Sequence, residues 1–122
     1  MLVASLFVAG ALGAPARYLV DGFVQRRTHR VFPWGTFVIN LSGSFVLGIL
    51  TGWALYHGLG NFARVAVGTG FCGAFTTFST FSYETVRLLE EGSVVESTLN
   101  ALCSVAAGLA AAGAGLALMA LV

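Results

Sequence analysis

Lysine is absent from this chain, and charge of either sign is scarce. Only 9% of the 122 residues are charged. A soluble domain carries roughly 25%, so these residues cannot cover a water-facing surface. The six basic residues are all arginine (Arg17, Arg26, Arg27, Arg30, Arg64 and Arg87). They are too few and too scattered for a nucleic-acid surface. The net charge of +1 selects no charged partner. Cysteine is nearly absent too. Cys72 and Cys103 lie far apart in apolar segments, with no His or Cys at ligand spacing, so they give no metal signature and read as small buried side chains. No His pair, Ser/His/Asp set or carboxylate cluster falls in the apolar stretches, which argues against an enzyme. The first twenty residues lack a basic stretch, so they read as a span and not as a cleaved leader.

What is present is apolar: 57% of residues are hydrophobic and the mean hydropathy is +0.89. That composition implies an integral membrane protein. A spanning helix needs about 20 apolar residues, so the chain has room for four spans with short loops. The expected fold is all-α, with spans near 2–20, 34–56, 62–89 and 96–122, in one domain. Pro15 should bend or loosen the first span. Arg17 and Asp21 are placed to pair four residues apart on it. Trp34 at one end of the second span, with Trp53 and Tyr56 at the other, fits an interfacial belt. Gly48 and Gly52 form a GxxxG pair that lets another helix approach. As one helix, the third segment would reach on the order of 40 Å, which is too long for an apolar core. It is expected to break near 73–77 into two half-helices.

The most informative stretch is Gly70–Ser82, GFCGAFTTFSTFS, where hydroxyls interleave with phenylalanines inside a span. A bilayer core tolerates such groups only where protein shelters them or they line a pathway. Thr36, Asn40, Ser44 and Thr51 fall within a narrow arc of the second span at about 100° per residue. Ser93, Ser97, Asn100 and Ser104 share a face of the fourth. These stripes read either as ties between helices or as a ladder of neutral donors, with Ser104 among the candidate pore residues, that can replace part of an anion's hydration shell. If 76–87 is helical, Phe78 and Phe81 share one face, opposite Thr76, Thr80, Tyr83 and Arg87. The two rings either pack on a neighbour or turn their positive edges toward an anion. Arg17 either snorkels to headgroups or attracts anions into a vestibule. Glu84 is the nearest acid to membrane depth, and an ion pair with Arg87 is its plainest account. Gly68, Gly70 and Gly73 spell GxGxxG, but the strand and βαβ context of a nucleotide site are missing.

Taken together, three blocks resemble the Fluc (CrcB-type) fluoride channels over nearly the whole chain. They are Gly10–Ala14 with Arg17–Tyr18; Gly35–Asn40 with Gly43–Phe45 and Gly48; and Gly70–Gly73 with Thr76–Phe81. The resemblance implies a passive, fluoride-selective channel that exports cytoplasmic fluoride across the bacterial inner membrane. It implies an antiparallel dimer with two pores. It implies Asn40, Phe78 and Phe81 as pore residues, Ser79 and Thr80 on a polar track, and Arg17 facing the vestibule. It also implies a structural Na+ on the dimer axis, held by backbone carbonyls of about Gly73 and Thr76. Many members carry a tyrosine where Asn100 stands, so Asn100 departs from the pattern. Arg26, Arg27, Arg30 and Arg87 fall on one side against Arg64 on the other. That bias favours one orientation and keeps a sister chain of opposite orientation open as partner beside a homodimer.

Two rival readings remain at this point. A small multidrug-resistance-type proton-coupled exporter would also be a four-span antiparallel dimer, but it needs a carboxylate in span one, and none precedes Asp21. An accessory membrane subunit would use the polar stripes purely as glue.

Overall fold

The structure, a computed structural model, describes residues 1–122 and is all helical. Helix α1 runs Leu2–Arg27, α2 Trp34–Tyr56, α5 Phe78–Glu90 and α6 Val94–Leu121. Between α2 and α5 lie α3 (Asn61–Ala63), a π-helical stretch (Arg64–Cys72) and α4 (Gly73–Phe75). Three helices, α1, α2 and α6, are long and apolar enough to cross a membrane. Gly58 and Gly92, at φ 74° and 81°, make the turns after α2 and α5, where a side chain would be strained.

Helix α1 differs from the expected span. It continues through Pro15 to Arg27, well past residue 20. In lipid there is no water to take over a released backbone group, so a helix tolerates an internal proline more readily than it unwinds. Asp21 does not pair with Arg17. It accepts two hydrogen bonds from Gln25 Nε2, each 3.1 Å. The fourth long helix starts two residues earlier than expected, at Val94.

Burial is confined to helix–helix seams: 15 of 122 residues are buried, and the outer surface carries Phe7, Leu12, Tyr18, Leu102 and Leu109 in the open. That inside-out pattern suits a chain whose solvent is lipid, where small residues and polar ties replace an apolar core. The chain is a multi-pass membrane protein. Two seams organise it. In the first, α2 lies on α6. A Cβ on Gly48 would meet the Ala112 carbonyl oxygen, and one on Gly115 would meet the Phe45 carbonyl. In the second, α1 lies on the π-helical stretch, with Gly13 against the Phe71 carbonyl and Gly70 against Ala9.

Because Gly48 faces backbone, substitution there has a definite sign. Ala would gain about 1 kcal/mol of helix propensity. The helices must part to admit it, however, and overpacking costs about 1–3 kcal/mol. Gly48→Leu is therefore expected to lower the detergent-solubilised melting temperature and broaden the size-exclusion peak. Gly113→Leu should not, because nothing lies within 4 Å of a Cβ there.

Candidate functional site

The third hydrophobic segment is where the backbone departs from a helix. Thr76 has φ −75°, ψ 159°, and Thr77 has φ −148°, ψ 121°, so two extended residues separate α4 from α5. The interruption is narrower than 73–77, because Gly73 is helical at φ −63°, ψ −35°. Each group released at the break can be followed. In an unbroken helix the Thr77 N–H would bond the Gly73 carbonyl. Here it donates to Asn40 Oδ1 at 2.8 Å. Asn40 Nδ2 in turn donates to the Thr77 carbonyl at 2.9 Å. The Thr80 N–H would bond the Thr76 carbonyl, but it is capped by Thr77 Oγ1 at 3.2 Å. The carbonyls of Gly73 and Thr76 thereby lose their helical donors. Arg17 Nη1 lies 3.5 Å from the Thr76 oxygen, a long contact at the limit of a hydrogen bond.

Asn40, Thr76, Thr77 and Arg17 therefore meet at one level of the molecule, although they come from three elements. The start of α5 continues the site. Thr77 Oγ1 is 3.0 Å from Thr80 Oγ1 and 3.4 Å from Ser79 Oγ. Phe78 is 78% exposed, Ser79 and Thr80 are exposed, and Phe81 is partly covered. The Phe78 and Phe81 rings sit 5.6 Å apart at 45°. Thr76 is not on this helix, so the face expected to join Thr76 to Thr80 does not form.

Two members of the second-span stripe bond in different ways. Thr36 Oγ1 donates to Glu84 Oε1 at 2.9 Å, while Thr51 bonds the Leu47 carbonyl of its own helix. The expected Glu84–Arg87 pair is replaced: Arg87 Nε instead binds Glu91 Oε1 at 2.8 Å. The reason is tertiary. Helix α2 brings a hydroxyl to Glu84, while Arg87 points outward to a partner one turn on. Glu84 Oε2 is buried without a partner. It borders a cavity of about 490 Å³ whose walls include His29, Arg30, Trp34 and Arg87. This cavity gathers the arginine-rich first loop and the end of α5 into one mouth, with Glu84 on its lining. The fourth-span stripe faces α5. Ser97 Oγ donates to the Thr85 carbonyl at 2.7 Å, Asn100 Nδ2 to Thr85 Oγ1 at 2.8 Å, and Ser104 Oγ to Asn100 Oδ1 at 3.2 Å. Ser104 is thus placed beside Asn100. Thr85 is a residue that sequence reasoning did not single out, and only its place on the polar, threonine-bearing α5 hinted at it.

The arrangement offers neutral hydroxyls and amides, the N-terminus of a 13-residue helix, two aromatic rings and released carbonyls. It offers no group of three or more His, Cys, Asp or Glu fit to hold a metal. A helix N-terminus favours negative charge, because its first N–H groups are unpaired.

The chain is similar to known proteins over nearly its whole length. The family model described as "CrcB-like protein, Camphor Resistance (CrcB)" matches residues 4–116. A protein of Streptomyces avermitilis named fluoride-specific ion channel FluC 1 is 55% identical over 111 residues, 90% of each chain. One of Leifsonia xyli with the same name is 46% identical over 116 residues, 95% of this chain and 85% of the relative. The fluoride-specific ion channel FluC of Geobacter sulfurreducens is 44% identical over 115 residues, 93% of each.

Proposed function

The chain belongs to the CrcB family, and from that membership we infer that it is a fluoride-specific ion channel. The observation in the structure that carries the reading is the start of α5. There Ser79, Thr80 and Phe78 stand exposed at a helix N-terminus beside a membrane-embedded break. Neutral O–H and N–H groups can replace part of an anion's hydration shell without holding it too tightly, and conduction requires that weakness. Aromatic ring edges add a weak positive potential. Asn40, with one N–H used on Thr77, keeps a second for the ion.

The channel is passive. One elementary charge crossing 100 mV is worth about 2.3 kcal/mol, enough to hold a gradient of roughly fifty-fold. A plasma membrane negative inside therefore drives fluoride out of the cytoplasm with no further energy source.

The pore is completed by a second copy. Hydroxyls on the first turns of α5 cannot face hydrocarbon at low cost, so Ser79, Thr80, Phe78 and Tyr83 are covered by a partner. We read the chain as four spans, the third interrupted, in an antiparallel homodimer. The arginine bias toward one side keeps a sister chain as the variant of that assembly. The Gly73 and Thr76 carbonyls suit a hard cation such as Na+, since both have lost their helical donors and both are neutral oxygens. Two oxygens from one chain are too few to surround such an ion, and the second copy supplies the other pair. The ion, when bound, supplies positive charge that ties the two breaks together.

Liposomes holding only this purified chain are expected to release fluoride on addition of a potassium ionophore and to retain chloride. An ion-selective electrode reads both. Equal rates for the two anions, or no release of either, would count against the reading. Release from single-chain preparations also establishes that no sister chain is needed.

A further inference from the structure

Asn100 is a fully buried polar side chain, at 0% exposure in a protein whose surface is otherwise lipid-facing. Burying an amide away from water is costly unless it is bonded. Its bonds all run within the chain: Nδ2 donates to Thr85 Oγ1, and Oδ1 accepts from Ser104 Oγ. A side chain so enclosed cannot touch a passing ion. Its effect must act through what it holds.

What it holds is one residue of α5. The Thr85 hydroxyl accepts from Asn100 and donates to the Phe81 carbonyl at 2.7 Å. The Thr85 carbonyl accepts from Ser97 at 2.7 Å. Two residues of α6, three apart, thus grip Thr85 at both its hydroxyl and its peptide. Phe81 and Phe78 lie four and seven residues before Thr85, on the same stripe of α5. The grip at Thr85 therefore sets the roll of the stripe that carries both rings. On the α2 side, α5 is tied by the Asn40–Thr77 pair at its start and by Thr36 on Glu84, the residue before Thr85. Between them Phe78 stays 78% exposed, with little of its own chain to orient it.

We propose that Asn100 is a positioning residue of the pore, which through Thr85 fixes the roll of α5 and so the direction in which Phe78 and Phe81 face. The flux part of this rests on the channel reading above; the roll does not. A helix rolled by tens of degrees would keep its internal hydrogen bonds while carrying the ring edges off the track.

The test uses the full chain in liposomes and detergent, with para-fluorophenylalanine at position 81 read by 19F NMR. One narrow resonance is expected in the wild type and in Thr85→Ser, which keeps the hydroxyl. A shifted or multiplied resonance is expected in Asn100→Leu and in Thr85→Val, which remove the bond while keeping the volume. Efflux should fall roughly ten-fold in each of the last two, stay within about two-fold of wild type in Thr85→Ser, and be no lower in the double variant than in the worse single. Wild-type spectra in Asn100→Leu overturn the proposal, as do losses that multiply in the double variant. If Asn100→Leu fails to assemble, Thr85→Val decides alone, and wild-type spectrum and flux there overturn the idea. A wild type that passes no fluoride while the spectra move as expected sinks the channel reading and upholds the coupling of Asn100 to Phe81.

Discussion

Fluoride efflux is expected to drop by about ten-fold or more when either Phe78 or Phe81 becomes isoleucine, with no change in the amount or size of assembled protein. The asymmetry follows from where the rings are. Phe78 is 78% exposed in the single chain, so its replacement leaves no cavity within the chain, and it frees no polar group there or against the partner. Isoleucine keeps an apolar side chain of similar bulk but lacks the aromatic quadrupole. Contacts between aromatic rings are worth about 0.5–1.5 kcal/mol per pair beyond area burial, and an anion at a ring edge draws on the same quadrupole. The upper end corresponds to about ten-fold in rate for one ring, and more where the ion is held by both. Electrode-measured efflux per mole of reconstituted protein, set beside size-exclusion elution, separates flux from assembly. An isoleucine variant that conducts at the wild-type rate would remove that ring from the pathway. If flux and assembly fall together, the ring is packing.

The membrane character and the family were legible because they rest on composition and on contiguous blocks such as Thr76–Phe81. What the sequence obscured is what joins distant residues. Glu84 and Arg87 obey the local three-residue rule, yet Glu84 is met by Thr36, forty-eight positions earlier, and Arg87 turns to Glu91. Pairwise helix rules cannot see a neighbouring helix. Pro15 lies inside α1, which continues beyond it to Arg27, past the expected end near residue 20. In lipid an unwound turn costs more than one missing bond. The fourth-span stripe was visible as a periodicity, but spacing alone does not say that Ser97 and Asn100 converge on Thr85, or that Ser104 leans on Asn100. The break shows the same limit. Glycine content and length pointed to 73–77, whereas the helix persists through Phe75, because what ends it is the Asn40 amide, thirty-seven residues away in sequence.

That last dependence gives the second large effect. Asn40→Leu is expected to destabilise the protein by about 2–6 kcal/mol and to abolish efflux as a consequence. Thr77 is only 8% exposed, and the Asn40 side chain satisfies both its N–H and its C=O, at 2.8 and 2.9 Å. Leucine would leave both groups unpaired, at about 1–3 kcal/mol each, in surroundings with little water to compensate. Asn40→Asp isolates the two halves of the pair. It keeps an acceptor for the Thr77 N–H but sets a carboxylate oxygen against the Thr77 carbonyl, and it places negative charge beside a track meant for anions. Its stability loss should be smaller than that of leucine while its flux is equally lost. Thermal unfolding in detergent and efflux in liposomes, measured on the same preparations, distinguish the outcomes. If Asn40→Leu melts like the wild type yet passes no fluoride, Asn40 serves the ion directly and the break holds without it. If melting and flux fall together in Asn40→Leu while Phe78→Ile loses flux alone, the amide builds the site and the rings work within it.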